Sequence, residues 1–170
     1  LAKNSWSGDE KIQFDKEMEV WQNGESTNDR GYSKGKPIWS SSNLETESWK
    51  VMELPLKLED SELGNFDGVV WLRKEVIIPQ DWSGHDLILN LGPIDDTDTT
   101  WFNGYQVGTM EGYKKERIYK IPGTLVKNGS NLISVRVVDH GAGGGVYGQP
   151  EELTIADADG KILRLAGTWL

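Results

Sequence analysis

Over most of the chain the dominant pattern is a short-range alternation of apolar and polar positions rather than a helical stripe. The run Asp86 to Leu91 (DLILNL) sets Leu87, Leu89 and Leu91 to one side. After a corner around Pro93, Thr97 to Phe102 is rich in threonine and aromatics, residue types that suit a pleated surface. Asn103-Gly104 supplies the two positive-φ residues of a tight hairpin turn, so Tyr105 to Met110 reads as the return strand. Further strands are expected at Trp49 to Leu54, Val69 to Ile78, Arg117 to Ile121, Asn131 to Val138, Glu152 to Ala156 and Lys161 to Leu165. Pro79 ends the strand before it, and Asp157 to Gly160 reads as a hairpin turn. Short strands at regular spacing, separated by glycine turns, indicate an all-β sandwich or barrel.

One segment has the other period. From Ser7 to Trp21, Phe14, Met18 and Trp21 fall on one helical stripe, with Ser7 placed to cap it and Asp9 and Glu10 in the first turn. The stripe is read as packing on the domain rather than as a cofactor site. Gln22 to Ser42 is polar and punctuated by Gly24, Gly31, Gly35 and Pro37, as a linker is. The chain is therefore divided into a helix and linker over 1–44 and a β domain over 45–170.

Composition narrows the function classes. The length, 170 residues, suits one domain with a proper core, and the 20 glycines fit a turn-rich fold. No apolar run is long enough for a membrane helix, so no membrane partner is expected. The chain opens on Leu1, which leads to the expectation of a piece processed or excised from a longer protein. With no cysteine there is no disulfide and no thiolate zinc site. A net charge of −9 without a basic stripe argues against a nucleic-acid partner. Lys114-Lys115 with Arg117 is the one local cationic group, read as a solvated strand edge.

Three groups carry candidate chemistry. Asp95, Asp96 and Asp98 suit calcium, sugar hydroxyls or, as the preferred reading, the backbone N–H groups of their own corner. Of these only Asp96 and Asp98 share a face in an extended strand, and no EF-hand spacing is present, so no metal or cofactor is assigned. Among the aromatics, Trp82, Trp101, Tyr113 and Tyr147 are candidates for a carbohydrate platform, with Asn103 as a polar partner beside Trp101. The competing reading places Trp71 and Trp101 in or over the core, and leaves Tyr113 and Tyr147, beside loop glycines, as the freer pair. The loop Gly141 to Gly145 lacks the spacing of a phosphate cradle and suits close backbone approach to another surface. His140 follows Asp139, and His85 lies in a turn, but no motif serine stands with either, so no catalytic residue is assigned.

The run from Asp67 to Gly148 contains the blocks DGVVWLRKEV, LGPIDDTDTTWFNG, IPGTLVKNGSNLISVRVVD and GAGGGVYG. Together they resemble the galactose-binding-like jelly-roll domain inserted in bacterial sialate O-acetylesterases, to which the sugar-binding domain of the family 2 glycoside hydrolases is related. LAGTW, from Leu165 to Trp169, resembles the junction at which such chains return to their catalytic domain. The resemblance implies a jelly-roll sandwich and a periplasmic or secreted parent whose SGNH-type domain hydrolyses sugar O-acetyl esters through a serine. The partners it implies are that catalytic domain and glycans. The family's GQSN-like serine block and DxxH-like histidine block are missing from this sequence. Three functions are thus carried forward: a docking insert that shapes the catalytic cleft, an autonomous carbohydrate-binding module, and a purely structural insert.

Overall fold

The computed structural model describes residues 29–170 and, before them, Ile12 and Lys16 alone. The helix expected from Ser7 to Trp21 otherwise lies outside the described residues. The chain divides into two compact units, Leu1–Ile38 and Trp39–Leu170.

In the first unit, β1 (Tyr32–Ser33) and β2 (Lys36–Pro37) pair antiparallel. Lys34 and Gly35, with φ of 50° and 73°, make the turn between them, and Asp29 Oδ1 accepts the Gly31 N–H at 2.8 Å. Within this polar loop or linker, a two-residue positive-φ turn and an aspartate bonded to its own backbone give local structure.

The second unit is an all-β sandwich. One antiparallel sheet runs in the order β5 (Gly68–Ile78), β10 (Gly129–Asp139), β7 (Thr97–Phe102) and β8 (Tyr105–Glu111). The other runs β13 (Ile162–Arg164), β12 (Leu153–Ala156), β6 (Leu87–Asp95), β11 (Gly145–Val146) and β4 (Leu56–Lys57). The strand β9 (Glu116–Ile121) pairs with β6 as well. A separate pair joins β3 (Met52–Leu54) to β14 (Gly167–Trp169). Leu72, Val76, Ile78, Phe102, Ile133, Val135 and Val137 from the first sheet meet Leu87, Leu89, Leu91, Ile94, Ile121, Leu153 and Ile155 from the second. The alternation read in DLILNL and NLISVRVV is the inward face of each sheet.

The other face of the first sheet is covered too. Trp71 and Trp101 stack at 5.1 Å between centroids and 18° between planes. Trp39 stands edge-on to Trp71 at 6.1 Å and to Trp49 at 5.1 Å. Arg73 donates to the carbonyls of Trp39 and Ser41 and lies 5.6 Å from the Trp49 ring centroid. This aromatic layer explains why Val69 to Ile78 reads as apolar with a charged middle: both faces of the strand are used.

Two expectations change. The corner falls at Asp95-Asp96 rather than at Pro93. β6 continues through Pro93, which lies at a register shift against β9, where a residue without an N–H costs no ladder bond. Arg117 is no solvated edge residue: its side chain is fully enclosed. In the alternating run ERIYKI it shares a face with Tyr119 and Ile121, and that face is the core.

Candidate ligand cleft at the glycine-loop end

At one end of the sandwich three segments converge. The corner Asp95-Asp96 joins β6 to β7, the loop from His140 to Gly144 joins β10 to β11, and the turn Leu58–Asp60 follows β4. The short strand β11 fixes the loop's return, with Gly145 opposite Asp95 on one side and Lys57 on the other. Further backbone bonds close the arrangement, from Leu58 N to Gly144 O at 2.9 Å and from Asp96 N to Val138 O at 3.2 Å.

Carboxylates hold the loop. Asp96 Oδ2 accepts the His140 N–H at 2.8 Å, Asp139 Oδ1 accepts the Gly141 N–H at 2.8 Å, and Glu59 Oε1 accepts the Gly144 N–H at 2.9 Å. Gly144 is required by packing, since a Cβ there would lie 2.1 Å from Asp139 Oδ2. The crowding of like charge moves proton affinities. Burial, then the hydrogen bond and charge of Asp96, then Asp139 and Glu59 push the Asp95 carboxyl up to about 7. Asp139 is raised by burial and by Asp96, Glu59 and Asp67, against the Gly141 N–H.

Beside this cluster lies a cleft of about 630 Å³, within the size range of small-ligand pockets. Glu59, Asp95, Gly143 and Tyr147 line it, with Lys57, Asp60, Tyr113 and Lys114 also contributing. Tyr113 is 50% exposed. Tyr147 donates its hydroxyl to the Tyr113 carbonyl, which ties the tip after β8 to the glycine loop. Lys114 Nζ stands 5.1 Å from the centroid of the Tyr113 ring.

The structure therefore brings Tyr113, Tyr147 and Asp95 together and sends the other candidates elsewhere. Trp101 is 2% exposed in the tryptophan stack, and Trp82 is a core residue at 4%; neither presents a platform to a sugar. Asn103 pins its own hairpin, donating to Leu125 O and Asn131 Oδ1 and accepting the Leu132 N–H, each at 2.8 Å. Asp96 and Asp98 do not share a site. Asp98 points into the sandwich, where it meets Arg117 Nε at 2.9 Å, Tyr119 Oη at 2.9 Å and Thr100 Oγ1 at 2.7 Å. Among the described residues no three acidic or histidine side chains converge as metal ligands. Sequence reasoning missed Glu59 and weighed Asp139 only as the neighbour of His140; the signal of their role here is weak, since they are single acids far apart in the chain, joined through the backbone of one loop.

Another cleft, of about 620 Å³, lies beside β14. Its aromatic, Trp169, is 2% exposed, and Lys74 spends its Nζ on Thr168 O at 2.8 Å. It offers a ligand less than the loop-end cleft does.

No family model matches the chain. Solved structures do resemble it. A glycosyl hydrolase family 2 member from Bacteroides cellulosilyticus superposes with a TM-score of 0.56 at 24% identity, over 63% of this chain and 17% of that one. A β-glucuronidase from Bacteroides uniformis gives a TM-score of 0.58 at 19% identity, over 82% of this chain and 16% of that one. Bacteroides uniformis β-glucuronidase 2 gives 0.56 at 21%, over 76% and 15%. The chain spans about a sixth of the length of each of these proteins. At such identities the likeness establishes the fold, a β-sandwich found within family 2 glycoside hydrolases.

Proposed function

We propose that this chain is a non-catalytic module of a carbohydrate-active enzyme, an O-acetylesterase of the sialate type, and that its glycine-loop end shapes the entrance to the catalytic cleft. The observation that carries the reading is the loop-end cleft, where an exposed tyrosine and a second tyrosine meet beside a loop whose backbone N–H groups are held by the carboxylates of Glu59, Asp96 and Asp139. The likeness to segments of family 2 glycoside hydrolases supports carbohydrate-active parentage. The esterase assignment is supported by the sequence blocks DGVVWLRKEV, GPIDDTDTTWFNG and GAGGGVYG. In such a parent the serine chemistry resides in another domain, and this module contributes the wall nearest the incoming sugar.

A second reading, an autonomous carbohydrate-binding module, is favoured by one feature: the Tyr113 ring is exposed next to hydrogen-bonding carboxylates. One pair of measurements separates the two. The 170-residue chain is titrated with sialylated and galactose-containing glycans, and O-acetyl release is followed in the full-length parent with and without Tyr113→Ala. A shaping module gives no saturable binding alone and a lowered kcat/KM in the variant parent. Saturable binding by the chain alone establishes the second reading. Unchanged kcat/KM together with no binding overturns both.

A further inference from the structure

Carboxylates hold the glycine loop at three of its amides. Asp96 takes the His140 N–H, Asp139 the Gly141 N–H and Glu59 the Gly144 N–H. The three acids come from the corner after β6, the end of β10 and the turn after β4. A fourth, Asp95, stands over the same loop: a Cβ built on Gly143 would lie 3.6 Å from Asp95 Oδ2 and 3.8 Å from Glu59 Oε1. Asp139 is 3% exposed, and its Oδ2 is turned onto Gly144 with no hydrogen-bond partner.

Four carboxyl groups so placed resist ionising together. Like charges in a poorly solvated setting raise one another's proton affinity until one group keeps its proton. Among the described residues the ion pairs lie elsewhere, at Lys50–Glu62, Arg117–Asp98, Lys120–Asp86 and Lys161–Asp81. Around Asp95, the corner supplies Asp96, the end of β10 Asp139, and the turn after β4 Glu59. Lys57 of β4, Asp60, Tyr113, Lys114 and Tyr147 line the open side with it. Behind the loop, Asp67 acts on Asp139, and Arg117 reaches the Asp96 carbonyl from the core at 3.0 Å. Lys57 and Lys114 offset part of the charge without forming an ion pair with any acid of the loop. Burial, then Asp96, pushes the Asp95 carboxyl up to about 7, so Asp95 is the group that keeps the proton.

We propose that the glycine loop is a proton-dependent wall: while one proton is held between Asp95 and Asp96 the loop stays docked on Glu59, Asp96 and Asp139, and when that proton leaves the loop loosens from the cleft. A protonated Asp95 donates to Asp96, which still has lone pairs for the His140 N–H. An ionised Asp95 donates nothing and repels the acids on which the loop amides rest. The far end of the loop is fixed by the pairing of Gly145 with Asp95 and by the bond from Leu58 N to Gly144 O. Movement therefore falls on His140 to Gly143. There Ala142 has a φ of 71°, a left-handed backbone that an alanine keeps only while its surroundings impose it. The device goes beyond the functional reading given above and stands without it. On that reading it sets the wall of the cleft entrance in acid and releases it above neutrality.

The test follows the 170-residue chain by nitrogen relaxation of the His140 to Gly144 amides at about pH 5.5 and about pH 8. The carboxyl-carbon shift of Asp95 is read across the same interval. Order parameters near about 0.85 are expected at the lower pH and below about 0.6 at the higher, with an Asp95 midpoint near about 7. Asp95→Asn, whose amide donates as the acid does, is expected to keep the loop ordered at both. Two variants are expected to retain the change: Asp81→Asn, in a surface ion pair elsewhere, and His140→Gln, which removes the loop's imidazole, the side-chain type whose ordinary titration falls in this interval. An Asp95 midpoint near about 4 overturns the proposal. So does a loop of equal order at both pH values, or a change that persists in Asp95→Asn. Loss of the change in His140→Gln assigns it to the imidazole and overturns the proposal too. No glycan enters the measurement, so its failure leaves the carbohydrate-active reading standing, and glycan binding and O-acetyl release can fail without touching it.

Discussion

Arg117 Nε donates to Asp98 Oδ1 at 2.9 Å with both side chains fully enclosed, and the contact joins β9 of one sheet to β7 of the other. The guanidinium is satisfied all round: Nη1 reaches Gly112 O and Lys115 O at 2.6 Å, and Nη2 reaches Asp96 O at 3.0 Å. Burial raises the Asp98 carboxyl, while Thr100, Arg117 and Tyr119 pull the other way. Arg117→Met should therefore cost about 3–5 kcal/mol, because it strands a buried carboxylate and several carbonyls. Urea unfolding measures this. Arg117→Lys should recover only part of the loss, since a point charge cannot replace the fork. A midpoint for Arg117→Met equal to that of the parent sequence would show the pair to be dispensable.

Tyr119 lies flat against Gly108: a Cβ at Gly108 would come within 2.1 Å of the Tyr119 ring. The ring cannot retreat freely, because its hydroxyl bonds both Asp98 oxygens at 2.9 and 3.0 Å. Gly108→Ala is expected to destabilise by about 1–3 kcal/mol through overpacking, seen as a lowered Tm. Adding Tyr119→Phe frees the ring to shift and should make the alanine less costly than it is alone. Strict additivity of the two changes would count against this coupling.

The strand register was legible wherever one face is apolar and the other wet. Leu87, Leu89 and Leu91, or Ile133, Val135 and Val137, have one possible orientation, and Asn103-Gly104 takes φ of 50° and 83° as its turn requires. Legibility failed where both faces are buried. Thr97–Phe102 is buried at every position, so a pattern of two faces could not say that Trp101 belongs to a second aromatic layer while Asp98 belongs to the core. It failed also for strands of two residues: β4 and β11 have no period to read. The site was half legible for a related reason. Tyr113 and Tyr147 advertise themselves by flanking glycines, but Glu59 and Asp139 join them only through a loop whose course is set by tertiary pairing at Gly145.

Asp95 gives the domain a pH dependence of definite sign. Its carboxyl is raised to about 7, chiefly by burial and by Asp96, whereas in an unfolded chain an aspartate titrates near about 4. Across that interval the folded state holds a proton that the unfolded chain has released. This contribution is complete at acid pH and is lost as pH rises through the folded value. Asp95→Asn should be neutral near about pH 4 and stabilising near about pH 8. Allowing for solvent screening of a partly open group, the gain is at most about 1 kcal/mol, or roughly 2–4 °C in Tm. Paired melting curves at the two pH values decide it. A stabilisation of equal size at both would assign the effect to packing instead of charge.

Trp101 and Tyr113 separate the fold from the site. Trp101 stacks on Trp71 and is 2% exposed, so Trp101→Ala opens a cavity in the outer aromatic layer and should cost about 3–5 kcal/mol. Tyr113 is 50% exposed, and its tip is anchored through its carbonyl, which accepts from Tyr147 and survives truncation of the side chain. Tyr113→Ala should therefore change stability by no more than about 0.5 kcal/mol, yet weaken any ligand that packs on the ring by about tenfold. Thermal melts and the glycan titration, run on the same two variants, test both halves. Trp101→Ala read in ligand-binding assays alone would mislead, because its loss of signal would follow the loss of folded protein. If Tyr113→Ala binds as the parent sequence does while remaining folded, the aromatic wall has no part in recognition, and the carboxylates of the cleft act alone.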